Sequence, residues 1–407
     1  MQQSERIDPR ILGQRLTEAR KARGLTQEQA ARHLECSRPT LIAIEKGERA
    51  AKPAELVKLA AFYGRQVHEL VRSSEPVAAD LQPHLRAEAA RMQTGDGDLM
   101  QAVTDLQRWA DDYRELERIM HAPMRYNYPP EVSLADSRVD VVALAEDVAL
   151  RERQRLGLGD QPVLNVRSVL EWDVGLRIFY RPLASGLAGM YAYVEPLGGC
   201  ILINAKHPAE RQRVSMVHEY GHLIVNRYES GIDYHTHPGR KPANERFADS
   251  FAVSFLMPTS SVRHRFHDTV ATTKDFQVAD LVRLSHFYFV SVPAMALRLE
   301  GLGLVPKGTA NMLKEEKLRV GKAKDILELS SRHETTDPYP ERYKYLAVNA
   351  YERGEISEGQ LVRFLRCEDD PVRGREIVQD CLAVLKSATT GQTAPLQFQR
   401  SLLSGVS

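Results

Sequence analysis

His218-Glu219-Tyr220-Gly221-His222 stands in a proline-free run, residues 210–225, whose Val214, Val217 and Leu223 are candidate core positions of a helix. On a helix, residues four apart stand one turn apart on the same face. His218 and His222 would therefore aim two imidazole nitrogens at one point, as a zinc ion requires. Glu219 sits beside them without being forced to bind the metal, placed to take a proton from an attacking water. The five-residue pattern alone is only moderately specific, since two surface histidines on a helix also produce it.

A catalytic zinc wants three protein ligands and one open position. Downstream lies ERFADSFAVSFLMP, residues 245–258, with Phe247, Ala248, Phe251, Ala252, Phe255 and Leu256 at helical spacing. This predicts a second helix packed on the first. Glu245 opens it and Asp249 follows one turn later. Either can reach the metal; Glu245 is the better third ligand and Asp249 the better partner for orienting a ligand histidine.

HEYGH followed by ExxAxxFAxxxLMP resembles the ImmA/IrrE family of metallo-endopeptidases, a gluzincin-like fold. The resemblance runs over roughly residues 145–300 and includes the strand-like residues 199–204 and Arg213 ahead of His218. It implies His218, His222 and Glu245 as zinc ligands and Glu219 as general base, with manganese acceptable to the same ligands. It also implies that the substrate is a regulatory protein, a repressor or the product of a neighbouring gene.

The 407 residues leave room for two or three domains. Lys+Arg (55) and Asp+Glu (54) nearly cancel, so whole-chain charge argues neither for nor against nucleic acid. Cys36, Cys200, Cys367 and Cys381 are scattered with no CxxC pair, which disfavours a disulfide framework or zinc ribbon. No apolar run approaches the roughly 18–20 residues needed to span a bilayer, and no hydrophobic leader opens the chain. A cytoplasmic protein without membrane contact is expected.

Residues 1–75 carry a separate message. Residues 11–21 are amphipathic, Gly24 ends that helix, Thr26 caps a second over 27–34, and Ser37 caps a third through Ile44. Residues 25–49, with Ala31 at the helix crossing and Leu41 and Ile44 beneath, resemble the lambda-repressor/Xre helix-turn-helix. In that fold the start of the third helix enters the major groove. The resemblance places Gln27, Arg38 and Thr40 against DNA and Lys46 and Arg49 on phosphates. Two departures stand out: Glu35 occupies the turn position usually held by glycine, and Pro39 lies in the first turn of the recognition helix. Fourteen Lys/Arg against ten Asp/Glu make this a weakly basic unit, so a single copy should bind its operator weakly.

Residues 76–135 read as a connector, with turn-rich breaks at 73–83 and 93–98. Residues 99–121 carry Ala102, Leu106, Trp109, Tyr113, Leu116 and Met120 in a heptad-like stripe. That stripe fits either a homodimer or packing on the peptidase domain, expected over 136–305. Residues 175–181, 189–194 and 200–204 read as strands, the last two forming a hairpin. Cys200, Ile201, Leu202, Ile203 and Asn204 are expected to form the edge strand along which an extended substrate lies. Tyr234 and His235, with His237, lie between the two ligand segments and are candidate oxyanion donors. Residues 306–407 are expected as a helical C-terminal region, with two helices broken at Gly354 and a frayed tail.

The expected class is mostly α with a small β-sheet (α+β): an all-α helix-turn-helix domain, a gluzincin-like metallopeptidase domain and a helical C-terminal region. Two readings stand. One is a zinc endopeptidase that also binds DNA, acting in stress-related or mobile-element and phage-related regulation. The other is a transcriptional regulator or antitoxin-like protein whose metallopeptidase fold serves as a sensor or partner platform.

Overall fold

The computed structural model describes residues 9–23, 25–63, 65, 67–71, 81, 85, 97–134, 140–229, 231–234, 241–315, 324–330, 337–367, 372, 374–379 and 382. The chain divides into two units, 1–78 and 79–407, each with its own core.

Unit one holds α1 (Pro9–Ala22), α2 (Gln27–His33), α3 (Arg38–Glu45), α4 (Pro53–Tyr63) and α5 (Val67–Val71). Thr26 and Gln29 close a capping box on α2, and the Ser37 hydroxyl accepts from the Thr40 amide to cap α3. These caps satisfy amides that the helices cannot. Leu16, Ala30, Ala31, Leu41, Ile44, Leu59 and Tyr63 are buried together. Glu35 takes φ +58° between α2 and α3, so a non-glycine residue does carry the left-handed turn there. Beneath the helices, Arg20 and Glu45 form a buried ion pair, with Nε–Oε1 at 2.6 Å and Nη2–Oε2 at 3.1 Å.

Unit two is built on a four-stranded sheet. In chain order its elements are α6 (Gly97–Ile119), α7 (Val141–Arg155), α8 (Val166–Ser168) running into a π-helical turn (Val169–Val174), β1 (Arg177–Arg181), β2 (Leu187–Val194) and β3 (Gly198–Asn204). Then come α9 (Ala209–Val225), β4 (Gly231–Tyr234), α10 (Ala243–Leu256), α11 (Thr259–Thr273), α12 (Val278–Tyr288), α13 (Val292–Gly301), α14 (Thr309–Glu315), α15 (Glu341–Glu352) and α16 (Glu358–Leu365). The sheet order is β1-β3-β2-β4, with β1 and β3 parallel and the other pairs antiparallel.

Each face of the sheet has its own cover. On one face Ile178, Tyr180, Tyr191, Ile201 and Ile203 pack with Met216, Val217, Tyr220 and Leu223 of α9, then Phe247, Phe251 and Phe255 of α10. On the other, Phe179, Met190, Cys200, Leu202 and Ile232 pack with Leu106, Trp109 and Tyr113 of α6 and Tyr343, Ala347 and Phe364 of α15 and α16. Because side chains alternate across a strand, one sheet needs both layers.

Three expectations change here. Cys200, Ile201, Leu202, Ile203 and Asn204 do not form an edge: β3 lies between β1 and β2, and its backbone pairs on both sides. The stripe of α6, which left a homodimer and packing on the peptidase domain both open, is covered within the chain, where Leu106, Tyr113 and Leu116 are fully buried. Residues 76–135 and 306–407, expected as a connector and a separate C-terminal region, contribute α6, α15 and α16 to one shared core. Residues 73–80 and 91–96 and the tail after 382 lie outside the described residues.

Candidate metal centre

Helix α9 carries His218 and His222 on the face toward α10, and the two helices meet at Gly221. A Cβ on Gly221 would stand 2.9 Å from the Ala248 Cα, closer than real side chains approach backbone. The missing side chain therefore lets α10 come close enough for its first turn to bring Glu245 to the histidines. The imidazole Nε2 atoms of His218 and His222 are 3.1 Å apart. Glu245 Oε2 lies 3.5 Å from His218 Nε2, and Oε1 lies 3.4 Å from His222 Nε2. Zinc–ligand bonds of about 2.0–2.2 Å in tetrahedral geometry imply ligand–ligand edges of about 3.3–3.5 Å. The two edges to Glu245 fall in this range and the edge between the histidines, 3.1 Å, is slightly short of it; this is the only three-residue metal-type cluster among the described residues. The donor set fits zinc, and it fits manganese as well.

The outward nitrogens of both rings are held. His218 Nδ1 donates to Asp249 Oδ1 at 3.2 Å, and Lys241 Nζ donates to Asp249 Oδ2 at 2.6 Å. His222 Nδ1 meets Asn226 Oδ1 at 3.0 Å. These contacts turn both Nε2 atoms inward. Burial disfavours charge on His218, yet its contacts with Asp249 and Glu245 more than offset this and hold its imidazole well above the usual range. Burial and the neighbouring His218 push His222 down. Asp249 resists its own burial through His218 and Lys241 and is held down to about 2.

Glu219 is 1% exposed, and its Oε1 has no hydrogen-bond partner among the described residues. Burial raises its carboxyl well above the ordinary range. A buried carboxyl oxygen without a partner is costly, and a ligand bound at this point would relieve that cost. Gly189 of β2 makes room for it: a Cβ there would lie 3.3 Å from Glu219 Oε1 and 2.9 Å from the Leu202 carbonyl.

In unit one the five residues expected at DNA divide. Arg38 is exposed at the start of α3, and Lys46 is exposed with Glu48 3.9 Å away. The Thr40 hydroxyl shares a 2.8 Å bond with Ser37. Gln27 is turned inward, its Nε2 donating to Glu45 Oε2 at 2.9 Å. Arg49 makes a two-bond fork with Glu55 at 2.8 and 3.0 Å, so its charge is already matched.

Two family models match: residues 173–300 fit the IrrE N-terminal-like domain, a peptidase family, and residues 11–72 fit a helix-turn-helix domain. The chain joins an IrrE-like domain to a helix-turn-helix. No curated protein matches it. Among solved structures, ComR from Streptococcus suis is 14% identical over 94% of this chain and 96% of its own, with a TM-score of 0.16. PlcR from Bacillus thuringiensis, solved with a peptide and DNA, is 10% identical over 93% and 97%, also with a TM-score of 0.16. Scores that low do not equate the folds.

The IrrE-like match begins at the π-helical turn and ends in α13, so α6, α7, α15 and α16 lie outside it. The candidate centre lies within the match and brings His218, Glu219, His222, Glu245 and Asp249 close together. Tyr234 ends β4, with its side chain outside the described residues, as are His235 and His237. Sequence reasoning missed Asn226, Lys241 and Gly189, and it missed β4 itself. For Asn226 a signal existed, since it stands one turn beyond His222.

Proposed function

We propose that the chain is a zinc-dependent endopeptidase that cleaves a regulatory protein and also binds DNA through its helix-turn-helix. The observation that carries this reading is the tetrahedral spacing of His218, His222 and Glu245 around a point beside the buried, unpartnered Glu219. His218, His222 and Glu245 would hold the metal. A zinc ion bound there would supply Lewis acidity toward a peptide carbonyl and toward water. Glu219 takes the proton of the attacking water and passes it to the leaving amine, a role suited to a buried carboxyl with a raised pKa. Asp249 and Asn226 keep the two imidazoles oriented throughout. Tyr234 or His235, on the segment leaving β4, would supply the donor that steadies the oxyanion.

The substrate lies along β4 on this reading. The other sheet edge, β1, is engaged, because the Tyr180 amide donates to the Pro338 carbonyl at 3.0 Å. The outer edge of β4 carries no strand partner among the described residues, and an extended peptide can pair with it without regard to sequence. The family likeness points to a repressor-like protein as substrate, in stress-linked or mobile-element regulation. Operator contacts are assigned chiefly to Arg38, Thr40 and Lys46, with Gln27 and Arg49 secondary because both are held by acids of their own unit.

The complete core of unit one favours a second reading, a regulator whose peptidase fold does not cut. The test compares wild type with Glu219→Gln, each co-expressed with the proteins encoded beside it, by mass spectrometry of new N-termini. A neighbour cut only by wild type establishes the endopeptidase and names its substrate. Equal N-termini, with zinc bound in both, transfer the assignment to the non-cutting regulator.

A further inference from the structure

Strand β4 brings one more charged group to the metal centre. Ile232 belongs to the core on the face away from α9, so by alternation Asp233 faces the α9 side. The pairing gives the same answer. Asp233 stands opposite Gly189, whose Cβ direction runs to Glu219 Oε1, and cross-strand partners project to the same face. A register shift between Leu187 and Gly189 sits at this pair, a bulge of the kind that re-aims side chains beside active sites. The charge of Asp233 is felt at His218, Glu219 and His222 alike, as a carboxylate facing the centre requires.

That carboxylate is not spent inside the fold. Asp233 is half-buried and makes no hydrogen bond or ion pair among the described residues. Two cations lie within its field, Lys241 and Arg211. Lys241 is already committed to Asp249 at 2.6 Å, and Arg211 forms no ion pair with Asp233. An acid on the sheet edge that carries no strand partner among the described residues, on the same face as Glu219, is therefore positioned to meet a charge on whatever pairs with that edge.

We propose that Asp233 makes the outer edge of β4 selective for an extended peptide that presents lysine or arginine opposite it, next to the bond to be cut. This rests on the endopeptidase reading for its consequence, though the recognition itself needs no cleavage. A peptide strand laid along β4 places every second side chain on the face that Asp233 shares, about 4.5–5.5 Å between Cβ atoms for the directly opposed pair. A long cationic side chain spans that gap to the carboxylate with ease.

The test uses the full chain carrying Glu219→Gln, loaded with zinc, so that binding is read without turnover. Two pools of fluorescein-labelled peptides differ only at their central residue, arginine in one and its neutral isostere citrulline in the other. Fluorescence anisotropy should give about fivefold tighter binding of the arginine pool. Adding Asp233→Asn should bring the ratio to about one, and Asp233→Lys should move the preference to a glutamate-centred pool. Equal binding of arginine and citrulline, no binding of either, or a preference that survives Asp233→Asn would overturn the proposal. Incubating the same pools with protein that retains Glu219 separates the two ideas. Discrimination without cleavage leaves Asp233 as the selector and removes the endopeptidase; cleavage without discrimination does the reverse.

Discussion

The two units handle their functional polar groups in opposite ways. In the IrrE-like unit both histidines of the candidate centre are fixed by a partner: His218 by Asp249, itself held by Lys241, and His222 by Asn226. Glu219 beside them is buried, and its Oε1 has no hydrogen-bond partner among the described residues. In the helix-turn-helix unit the firmly held polar groups are internal, Arg20 with Glu45 and Arg49 with Glu55, while Arg38 stands free at the surface. A metal centre requires its donors positioned before the ligand arrives; a DNA surface tolerates side chains that settle on contact. Damage should accordingly be concentrated in the first unit compared and spread out in the second.

The sharpest break is Glu245→Ala. It removes one of the three proposed ligands, and the protein should no longer carry stoichiometric zinc, by metal analysis after desalting. The loss should exceed the roughly ten- to hundredfold drop in affinity that a supporting residue causes. Full retention of zinc would mean that the 3.4 and 3.5 Å edges do not describe the binding site.

Next in size is Arg20→Ala in the other unit. Removing one partner of a buried ion pair strands the other, at a cost of about 3–5 kcal/mol. Both Arg20 and Glu45 are under 9% exposed, and Gln27 alone would be left to satisfy the Glu45 carboxylate. Thermal unfolding should show the transition of unit one falling while zinc binding by unit two stays as in wild type. A joint shift of both would show that the units do not fold independently.

The same contrast explains what could be read from the sequence. The histidine pair, Glu245 and the capped helices of unit one are local patterns, with spacings set by the helix itself, and all appear where expected. The failures concern partners distant in sequence. Every residue of β3 is buried, so its composition marks a strand but not its neighbours. Its central place comes from β1 pairing with it in parallel across the intervening hairpin strand, a long-range event. The α6 stripe shows an apolar face without naming what covers it, and the cover proves to be the sheet and α15 and α16, more than 200 residues later in the case of Tyr343. Strand β4, four residues within a Gly-, Pro- and His-rich stretch, is too short to show alternation, and Asp233 was hidden with it.

Asp249→Ala is the third prediction. Here the proposed zinc ligands remain but His218 loses its acceptor and Lys241 its partner. Zinc affinity should fall about ten- to hundredfold, measured by competition with a chromophoric chelator. An unchanged affinity would show that packing alone orients His218, and the contrast between the units would weaken accordingly.

The smallest effects belong to the DNA surface, where Arg38→Ala and Arg49→Ala form an informative pair. Arg38 is exposed and unmatched at the start of the recognition helix, so its loss should cost about 1–3 kcal/mol where it reads a base, or about one unit of salt slope where it holds a phosphate. Arg49 must first release Glu55, with which it makes bonds of 2.8 and 3.0 Å. Whatever it gives a phosphate is reduced by that exchange, and its removal should change operator affinity less than the removal of Arg38. Salt titrations of each variant on one operator fragment decide the matter. Equal losses would mean that the Arg49–Glu55 fork opens on DNA, and that this surface, too, is arranged by its ligand rather than before it.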